Sequence, residues 1–489
     1  MTTTSAQDAD LIIRRAHEAY CATRHIAPQV RASWLEAIAS ALQEEADDLV
    51  RLAAKETHLA EGRLYGELRR TAFQLQLFAD EVRIGEPYDA TIDHEDDSWG
   101  MGPRPDIRRV NVPLGVVGVF GASNFPFAFS VAGGDTASAL AAGCAVVHKI
   151  HSAHLELGIR TTEVVNAALR AADAPAALFA AVSGREAANT LVDHPLVKAI
   201  GFTGSTVGGR SLFDRASRRP EPIPFYGELG SINPVFVTEA AWHSRRERIL
   251  KEYAQSFTLG MGQFCTKPGL FFAPIADSGP DGVVSDLVDA LGNSPVAPML
   301  SPHLNGEFAA AVAEICSDGD VSVLVEGSFG EVPQPTVLFT TAETVQRKPA
   351  LLAQEMFGPA TLVIGNREGA DLVPLARLLE GQLTATVHAG DGEDLSELVT
   401  TLEERSGRVI WNGWPTGVTV SYAQQHGGPY PATTASGTTS VGTDAVRRFM
   451  RPVAFQSFPD AQLPESLHND NPWLIRRRVD GRWEPSPNP

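Results

Sequence analysis

One cysteine of this chain sits where a nucleophile would. In Gly262-Gln263-Phe264-Cys265-Thr266-Lys267-Pro268-Gly269 the thiol lies in a glycine-flanked loop, after a long helical run and just before the apolar strand-like run Leu270–Pro274. A thiolate held there can attack an electrophilic carbon. Such chemistry needs three further parts from elsewhere in the chain: an oxyanion donor, a base and an electron acceptor.

Candidates for each exist. Asn124 follows the Val-rich run Gly115–Phe120, within Gly121-Ala122-Ser123-Asn124-Phe125-Pro126. An amide on a loop at a strand end can donate to a developing oxyanion, and losing such a donor typically costs ~3 kcal/mol of transition-state stabilisation. A turn Asn ahead of a Pro-containing helix start looks the same in sequence. Glu228, in Tyr226-Gly227-Glu228-Leu229-Gly230, can act as a general base through water. Its flanking glycines are expected to leave the carboxylate mobile, and they equally suit a plain turn residue. Lys149 closes the run Cys144–Lys149. At the carboxyl end of a parallel strand it can bond ribose hydroxyls or a phosphate, or simply face solvent. The run Val197–Thr203 leads into Gly204-Ser205-Thr206-Val207-Gly208-Gly209. Ser205 or Thr206 can cap the next helix, whose free N–H groups favour a pyrophosphate. The spacing is not GxGxxG, and a plain helix cap explains it as well.

These parts need a scaffold. Residues 8–83 read as amphipathic helices, with Leu11, Ile12, Ala16 and Ala19, and then Trp34, Ile38, Leu42 and Leu49, at helical spacing. Residues 85–113 are irregular apart from the strand-like run Ile107–Val112. Strands and helices then alternate: strand Gly115–Phe120, helix Phe127–Ala142, strand Cys144–Lys149, a helix over 153–172, strand Ala177–Val182, a helix over 185–193, strand Val197–Thr203 and helix Ser205–Ala216. Continuous apolar strands between helices predict a parallel, doubly wound α/β sheet. A second α/β unit starts near 230, with strands Gly269–Ala273, Thr361–Ile364, Thr384–His388 and Arg408–Trp411. The isolated tail strand Pro452–Phe458 must pair elsewhere, and a partner subunit is one candidate.

Composition narrows the class. A chain of 489 residues is too long for one ordinary core, so two or three domains are expected. A net charge of −19 argues against a nucleic-acid surface, and the one basic cluster, Arg476-Arg477-Arg478, reads as a solvated or interface strand. No apolar run reaches the roughly 18 residues of a spanning helix. The polar segment Met1–Asp10 lacks the apolar core of an export signal, so a cytoplasmic location is expected. Cys21, Cys144, Cys265 and Cys316 have no paired spacing, which argues against disulfides and a metal site. Cys21, Cys144 and Cys316 are expected to be small buried hydrophobes.

Taken together, the motifs resemble those of the NAD(P)-dependent aldehyde dehydrogenase superfamily, from about residue 8 to the end. The matching segments are Asn124-Phe125-Pro126, Lys149, Gly201-Phe202-Thr203-Gly204-Ser205, Glu228-Leu229-Gly230, Gly262-Gln263-Phe264-Cys265 and Glu355-Met356-Phe357-Gly358-Pro359, in the family's order. Within it the chain resembles the α-ketoglutarate semialdehyde (2,5-dioxopentanoate) branch, which also holds NADP-dependent fatty-aldehyde dehydrogenases. That narrower likeness rests on Gln263–Leu270, Trp411–Val418, Gly427–Thr433 and Arg451–Gln456.

The resemblance implies roles. Cys265 is the nucleophile, forming a thiohemiacetal and then a thioester. Asn124 and the Cys265 backbone N–H hold the oxyanion, and Glu228 activates water for deacylation. Glu355 and Phe357 position the nicotinamide ribose and ring, while Lys149 and Ser205 contact the adenosine ribose and pyrophosphate. Ser152 stands where NAD-preferring relatives often carry Glu, and Arg185 stands where NADP-binding relatives of the branch carry arginine, so NADP is expected, with NAD the alternative. Phe125, Phe129 and Phe264 line the substrate pocket by the same analogy. Arg70 and Gln74 share a helix face and can hold a substrate carboxylate, or form a solvated or interdomain pair.

The implied fold is two doubly wound parallel-sheet domains plus a small β oligomerisation element. Its expected parts are a cofactor domain over 1–229, with 88–112 in the oligomerisation element, a catalytic domain over 230–430, and a return with the tail strand over 431–489. Aldehyde is the expected small-molecule partner, with neither nucleic acid nor membrane, in a homodimer or homotetramer. Two features depart from the family pattern: the chain starts almost at its first helix, and Asn305–Gly330 is short and acidic. The rival readings are a CoA-acylating dehydrogenase, against which Glu228 argues, and a non-catalytic protein on the same fold, against which intact Cys265, Glu228 and Asn124 argue.

Overall fold

The computed structural model describes residues 3–275, 281–292, 294 and 296–484. Among them three sheets form. The first holds five parallel strands in the order Phe179–Val182, Ala145–Lys149, Val116–Phe120, Val197–Thr203, Phe225–Glu228. Val116–Phe120 is buried at every position, as a central strand covered on both faces must be.

The second sheet has seven strands: Ser322–Val325, Thr336–Thr341, Ala360–Asn366, Leu270–Pro274, Pro234–Val237, Gln382–His388 and Ser406–Trp411. All are parallel except the first, an antiparallel edge. Its side chains alternate between two cores, as period-2 geometry requires. Val235, Val237, Phe271 and Ala273 pack with helices Glu239–Thr258 and Asp281–Leu291, while Phe236, Leu270 and Phe272 pack with helices Pro302–Cys316, Val373–Arg377 and Ser396–Glu403.

Four helices cover residues 6–84: Ala6–Thr23, Pro28–Glu44, Ala46–Thr57 and Glu61–Ile84. Ser5 caps the first by accepting from the Asp8 N–H, and Gly85, at φ 88°, ends the fourth. Trp34, Ile38, Leu42 and Leu49 are buried as the spacing predicts, but Leu11 is 48% exposed, and Ala9 and Ile13 take the core positions around it.

Other expectations need correction. The helix predicted over Phe127–Ala142 spans only Gly134–Ala142. The carbonyls there bond outside a helical ladder, that of Phe129 accepting from the Ala122 N–H at 2.8 Å and that of Ala128 from the Gly134 N–H at 2.9 Å, so residues 127–133 form turns instead, with the buried Glu67 carboxylate accepting from the Phe127 and Ala128 N–H groups. The tail strand, Met450–Gln456, pairs antiparallel with Ile107–Pro113 of the same chain, in a third sheet with Ala90–Asp93, Arg477–Val479 and Arg482–Trp483. It therefore needs no partner subunit for that pairing. Of the cysteines set apart as packing residues, Cys144 is buried, Cys316 is half-buried and Cys21 is exposed. Arg477 is buried beside Glu484 at 2.8 Å rather than solvated.

Candidate active site

The carboxyl end of Phe225–Glu228 in the first sheet meets the amino end of Leu270–Pro274 in the second. The chain reaches that point through Gly260 and Gly262, at φ 55° and 65°. A Cβ on Gly262 would lie 2.1 Å from the Gly358 carbonyl oxygen, so only glycine lets the loop pack there. Asn233 Nδ2 donates to the Cys265 carbonyl at 2.8 Å and to that of Lys267 at 2.9 Å. Lys267, itself buried, donates to the Met356 and Ala360 carbonyls, tying the cysteine loop to the Glu355–Pro359 segment.

Around the sulfur two groups converge, His426 and Glu228. His426 Nε2 stands 3.6 Å from Cys265 Sγ and 2.9 Å from Glu228 Oε1. The second Glu228 oxygen accepts from the Ser440 hydroxyl at 2.8 Å. Glu228 is thus buried and held on both oxygens, not mobile as its glycine neighbours suggest. Burial pushes its carboxyl up, but the His426 ring and the bonds from His426, Ser440 and Cys265 outweigh that and hold it below the usual range. Burial, with the Glu228 carboxylate next, raises the Cys265 thiol well above its ordinary value. The resting thiol is therefore protonated at neutral pH and needs a base, which the His426–Glu228 pair can supply.

On the opposite side stands Asn124, 7% exposed, its Nδ2 donating to the Gln263 carbonyl at 3.0 Å. The Cys265 N–H donates to no backbone or side-chain acceptor among the described residues. Arg63 Nη2 donates to the Asn124 carbonyl at 2.7 Å, fixing the loop from behind. Phe125 meets Phe129 and Phe264 edge-on, with ring centroids 5.4 and 5.2 Å apart. Arg63 lies 4.8 Å from the Phe264 centroid and Arg70 lies 5.5 Å from that of Phe129. Arg70 Nε donates to the Val418 carbonyl at 3.2 Å, but its Nη1 is buried without a partner. Burial pushes the Arg70 guanidinium down, against the charges of Glu67, Cys265 and Glu228. Gln74, one turn on, is buried against Gly134 with Nε2 unpaired.

A cradle borders this pocket. Lys149 ends its strand with no hydrogen bond or ion pair to a described residue, and burial pushes its ammonium down. Ser205 caps helix Thr206–Ser217 by accepting from the Gly208 N–H at 3.3 Å. The Thr206 hydroxyl takes the Gly230 N–H at 3.1 Å. A Cβ on Gly230 would meet Glu355 Oε2 at 2.4 Å, which brings Glu355 to this helix N-terminus. Phe357 lies half-buried two residues on, Ser152 starts a short turn three residues after Lys149, and Arg185 starts helix Arg185–Asp193, exposed. A half-buried ammonium without a described partner and a capped helix N-terminus at the carboxyl edge of a parallel sheet suit a dinucleotide.

The decisive comparison is with known families. The model described as "Aldehyde dehydrogenase family" matches residues 1–452. The chain belongs to the aldehyde dehydrogenase family. As a member it is an oxidoreductase that oxidises an aldehyde to a carboxylic acid with a nicotinamide cofactor.

Two characterised aldehyde dehydrogenases are similar along nearly their whole length. The alpha-ketoglutaric semialdehyde dehydrogenase of Acinetobacter baylyi is 39% identical over 97% of this chain and 91% of its own. Alpha-ketoglutaric semialdehyde dehydrogenase 2 of Azospirillum brasilense is 42% identical over 98% and 92%. Among solved structures, methylmalonate-semialdehyde dehydrogenase from Oceanimonas doudoroffii shares the fold at a TM-score of 0.78 and 20% identity, covering 94% of this chain and 92% of its own. Glyceraldehyde-3-phosphate dehydrogenase GapN from Methanocaldococcus jannaschii, complexed with NADP, does so at 0.76 and 19%, covering 93% and 95%.

Some residues of this aldehyde dehydrogenase site escape sequence reasoning. His426 precedes the recognised run Gly427–Thr433 by one residue, and nothing in its spacing marks it as the neighbour of Cys265. Arg63 stands seven residues before Arg70 on the same helix face, a signal that periodicity could have given. His154 Nε2 lies 3.0 Å from the Ala122 carbonyl oxygen and braces the Asn124 loop.

Proposed function

We propose that this enzyme is an NADP-preferring dehydrogenase of a short semialdehyde carrying a carboxylate, with 2,5-dioxopentanoate as the favoured substrate. The observation that carries this is Arg70, a half-buried guanidinium whose Nη1 is buried without a partner, beside Phe129 and near enough to Glu228 to feel its charge. A buried unpaired charge calls for an anion, and a substrate carboxylate provides one. Two similar relatives that bear the name alpha-ketoglutaric semialdehyde dehydrogenase support the choice. Gln74 shares the helix face and offers a second donor.

In this reading Cys265 loses its proton to the His426–Glu228 pair and attacks the aldehyde carbon. The Asn124 amide and the Cys265 N–H take the oxyanion of the thiohemiacetal. When bound, the nicotinamide supplies the hydride acceptor that makes oxidation to a thioester possible. Glu228, oriented by His426 and Ser440, then draws a proton from water as it attacks the thioester carbonyl, and the acid leaves with Cys265 restored.

A panel of aldehydes scored by kcat/KM tests the substrate. Arg70→Leu is expected to lower kcat/KM for 2,5-dioxopentanoate by roughly 30- to 150-fold, and that for an uncharged aliphatic aldehyde of equal length by far less, since a charge-assisted bidentate contact is worth roughly 2–3 kcal/mol. Equal losses on both substrates would remove the carboxylate role.

The cofactor preference rests on Arg185, exposed and without a hydrogen bond or ion pair to a described residue, and on Ser152, which does not repel a 2′-phosphate. Arg185→Ala is expected to raise KM for NADP roughly tenfold and leave that for NAD unchanged. An unaltered NADP/NAD ratio would end that assignment.

The assembly proposed is a homodimer or homotetramer in the cytoplasm. Ser406–Trp411 and Met450–Gln456 are edge strands of different sheets, each partly exposed and each paired on one side only. Sedimentation equilibrium decides this, and a monomer at micromolar concentration would refute it. No described helix is long and apolar enough to cross a membrane.

A further inference from the structure

The site above uses the amino edge of the second sheet, and the carboxyl edge of that sheet carries a separate crevice of about 330 Å³. Its position is the one at which open α/β sheets bind ligands. Pro234–Val237 and Gln382–His388 are neighbours in the sheet, yet the helices that follow them, Glu239–Thr258 and Ser396–Glu403, pack on opposite faces. Strand order reverses between them, and the two connecting loops part to leave a gap. The gap is lined from one side by Thr238 and Glu239 and from the other by Glu393 and Asp394, with Asn366 below. Its volume falls within the roughly 300–1,000 Å³ of small-molecule sites.

Asn366 is the observation that points to a ligand. It is 5% exposed and lines the crevice; its Nδ2 donates to the Arg367 carbonyl at 3.3 Å, and its Oδ1 accepts nothing. A buried acceptor left without a donor is rare in a folded chain and calls for an N–H or O–H from outside it.

Charge gives that donor its class. Glu239, Asp371, Glu393, Asp394 and Glu397 line the crevice with one lining cation, Arg367, which pairs with Glu343 at 3.4 Å, and Glu397 pairs with Arg377 at 3.0 Å. Three of these acids have spare capacity. Asp371 Oδ1 accepts from the Val373 N–H at 2.9 Å, Asp394 Oδ1 from the Ser396 hydroxyl at 2.6 Å, and Glu393 Oε2 from the Thr238 hydroxyl at 2.6 Å. Their other oxygens accept no hydrogen bond within the described chain. A bare metal ion is not what they suit. Among the described residues, the side-chain groups of three near enough to share one ion are Glu228–Cys265–His426 and Glu239–His243–Glu368, and neither includes Asp371, Glu393 or Asp394.

We propose that this crevice binds a short aliphatic diamine, one ammonium on Asn366 Oδ1 and Glu393 and the other on the Asp371 and Asp394 carboxylates. The ligand satisfies the buried acceptor with an N–H, spans carboxylates too dispersed for an ion, and offsets the local negative charge. The site is independent of the substrate and cofactor readings above, since it shares no residue with them.

Calorimetric titration of the full chain with 1,4-diaminobutane, in the presence of NADP, tests this. The expected result is saturable binding at one site per chain, weakened at least about tenfold by Asn366→Leu and by Asp394→Asn, with no saturable heat from succinate or 1,4-butanediol. Asp394→Asn keeps the Oδ1 cap on Ser396, so it serves even if Asn366→Leu folds poorly. No saturable heat with the diamine, unchanged affinity in Asp394→Asn, equal binding of 1,4-butanediol, or displacement of the diamine by NADP would each overturn the proposal.

Discussion

A Cys265→Ala protein is expected to lose aldehyde oxidation by about 10⁴-fold or more in kcat while still binding NADP, because in the proposed mechanism the group removed forms the covalent bond itself. Cys144 is buried elsewhere and Cys21 is exposed on the first helix, so neither offers a substitute thiol. Cofactor affinity, read by fluorescence titration, separates this from misfolding: Lys149, Ser205 and Arg185 are untouched, and NADP binding should stay within a factor of about 2. A variant that keeps turnover would remove Cys265 from the reaction. In the native enzyme pH gives a second reading. Burial and then Glu228 raise the thiol, so the thiolate fraction is small at neutral pH and grows as pH rises toward the shifted value. Alkylation by iodoacetamide is therefore expected to be slow near pH 7 and to speed up by close to tenfold per pH unit above it. A flat alkylation profile from about pH 6 to about pH 9 would mean that the thiol is already ionised.

The scaffold was largely legible because its strands are written in continuous apolar runs. Val197–Thr203 and helix Arg185–Asp193 fall where the alternation of patterns puts them. The misreadings share one cause, a partner outside the local pattern that claims a backbone group. Residues 127–133 have helical composition, but the Phe129 carbonyl accepts from the Ala122 N–H and that of Ala128 from the Gly134 N–H, so no i to i+4 ladder can form through them. The tail strand has no neighbour in sequence, yet Ile107–Pro113 supplies one across more than 300 positions of chain.

The chemistry was legible in its residue types more than in its geometry. Cys265, Glu228 and Asn124 are each weak signals alone, and the structure brings them to one point. Sequence reasoning gave Glu228 freedom because glycines flank it. The structure pins it instead, and both anchors, His426 and Ser440, come from a segment some 200 positions away. Periodicity describes single elements, so it cannot report a histidine delivered by a remote loop. The charged residues of the fourth helix are an intermediate case: Arg63, Glu67 and Arg70 lie on one face at readable spacing, but only the fold shows that this face braces the Asn124 loop and leaves Arg70 Nη1 without a partner.

Glu228→Gln should separate two effects that one carboxylate exerts on one sulfur. In its proposed role as base for water, Glu228 is needed after the thioester forms, so the variant is expected to release about one equivalent of NADPH in a burst and then turn over some 10²–10⁴-fold more slowly, with acyl-enzyme detectable by mass spectrometry. As a negative charge beside the thiol, the same residue raises the Cys265 pKa. The neutral amide removes that charge, so alkylation at a fixed pH should become faster in the variant even as turnover collapses. Slower alkylation would instead show that the share of Glu228 in the His426–Glu228 base outweighs its charge on the thiol, and loss of the burst would show that acylation, not deacylation alone, depends on it. His426→Asn completes the test. Without the ring, burial dominates at Glu228 and its carboxyl rises, so the base stays protonated to higher pH and the acid limb of the kcat profile should shift upward. A limb that does not move would show that Ser440 alone holds the carboxylate in its ionised form.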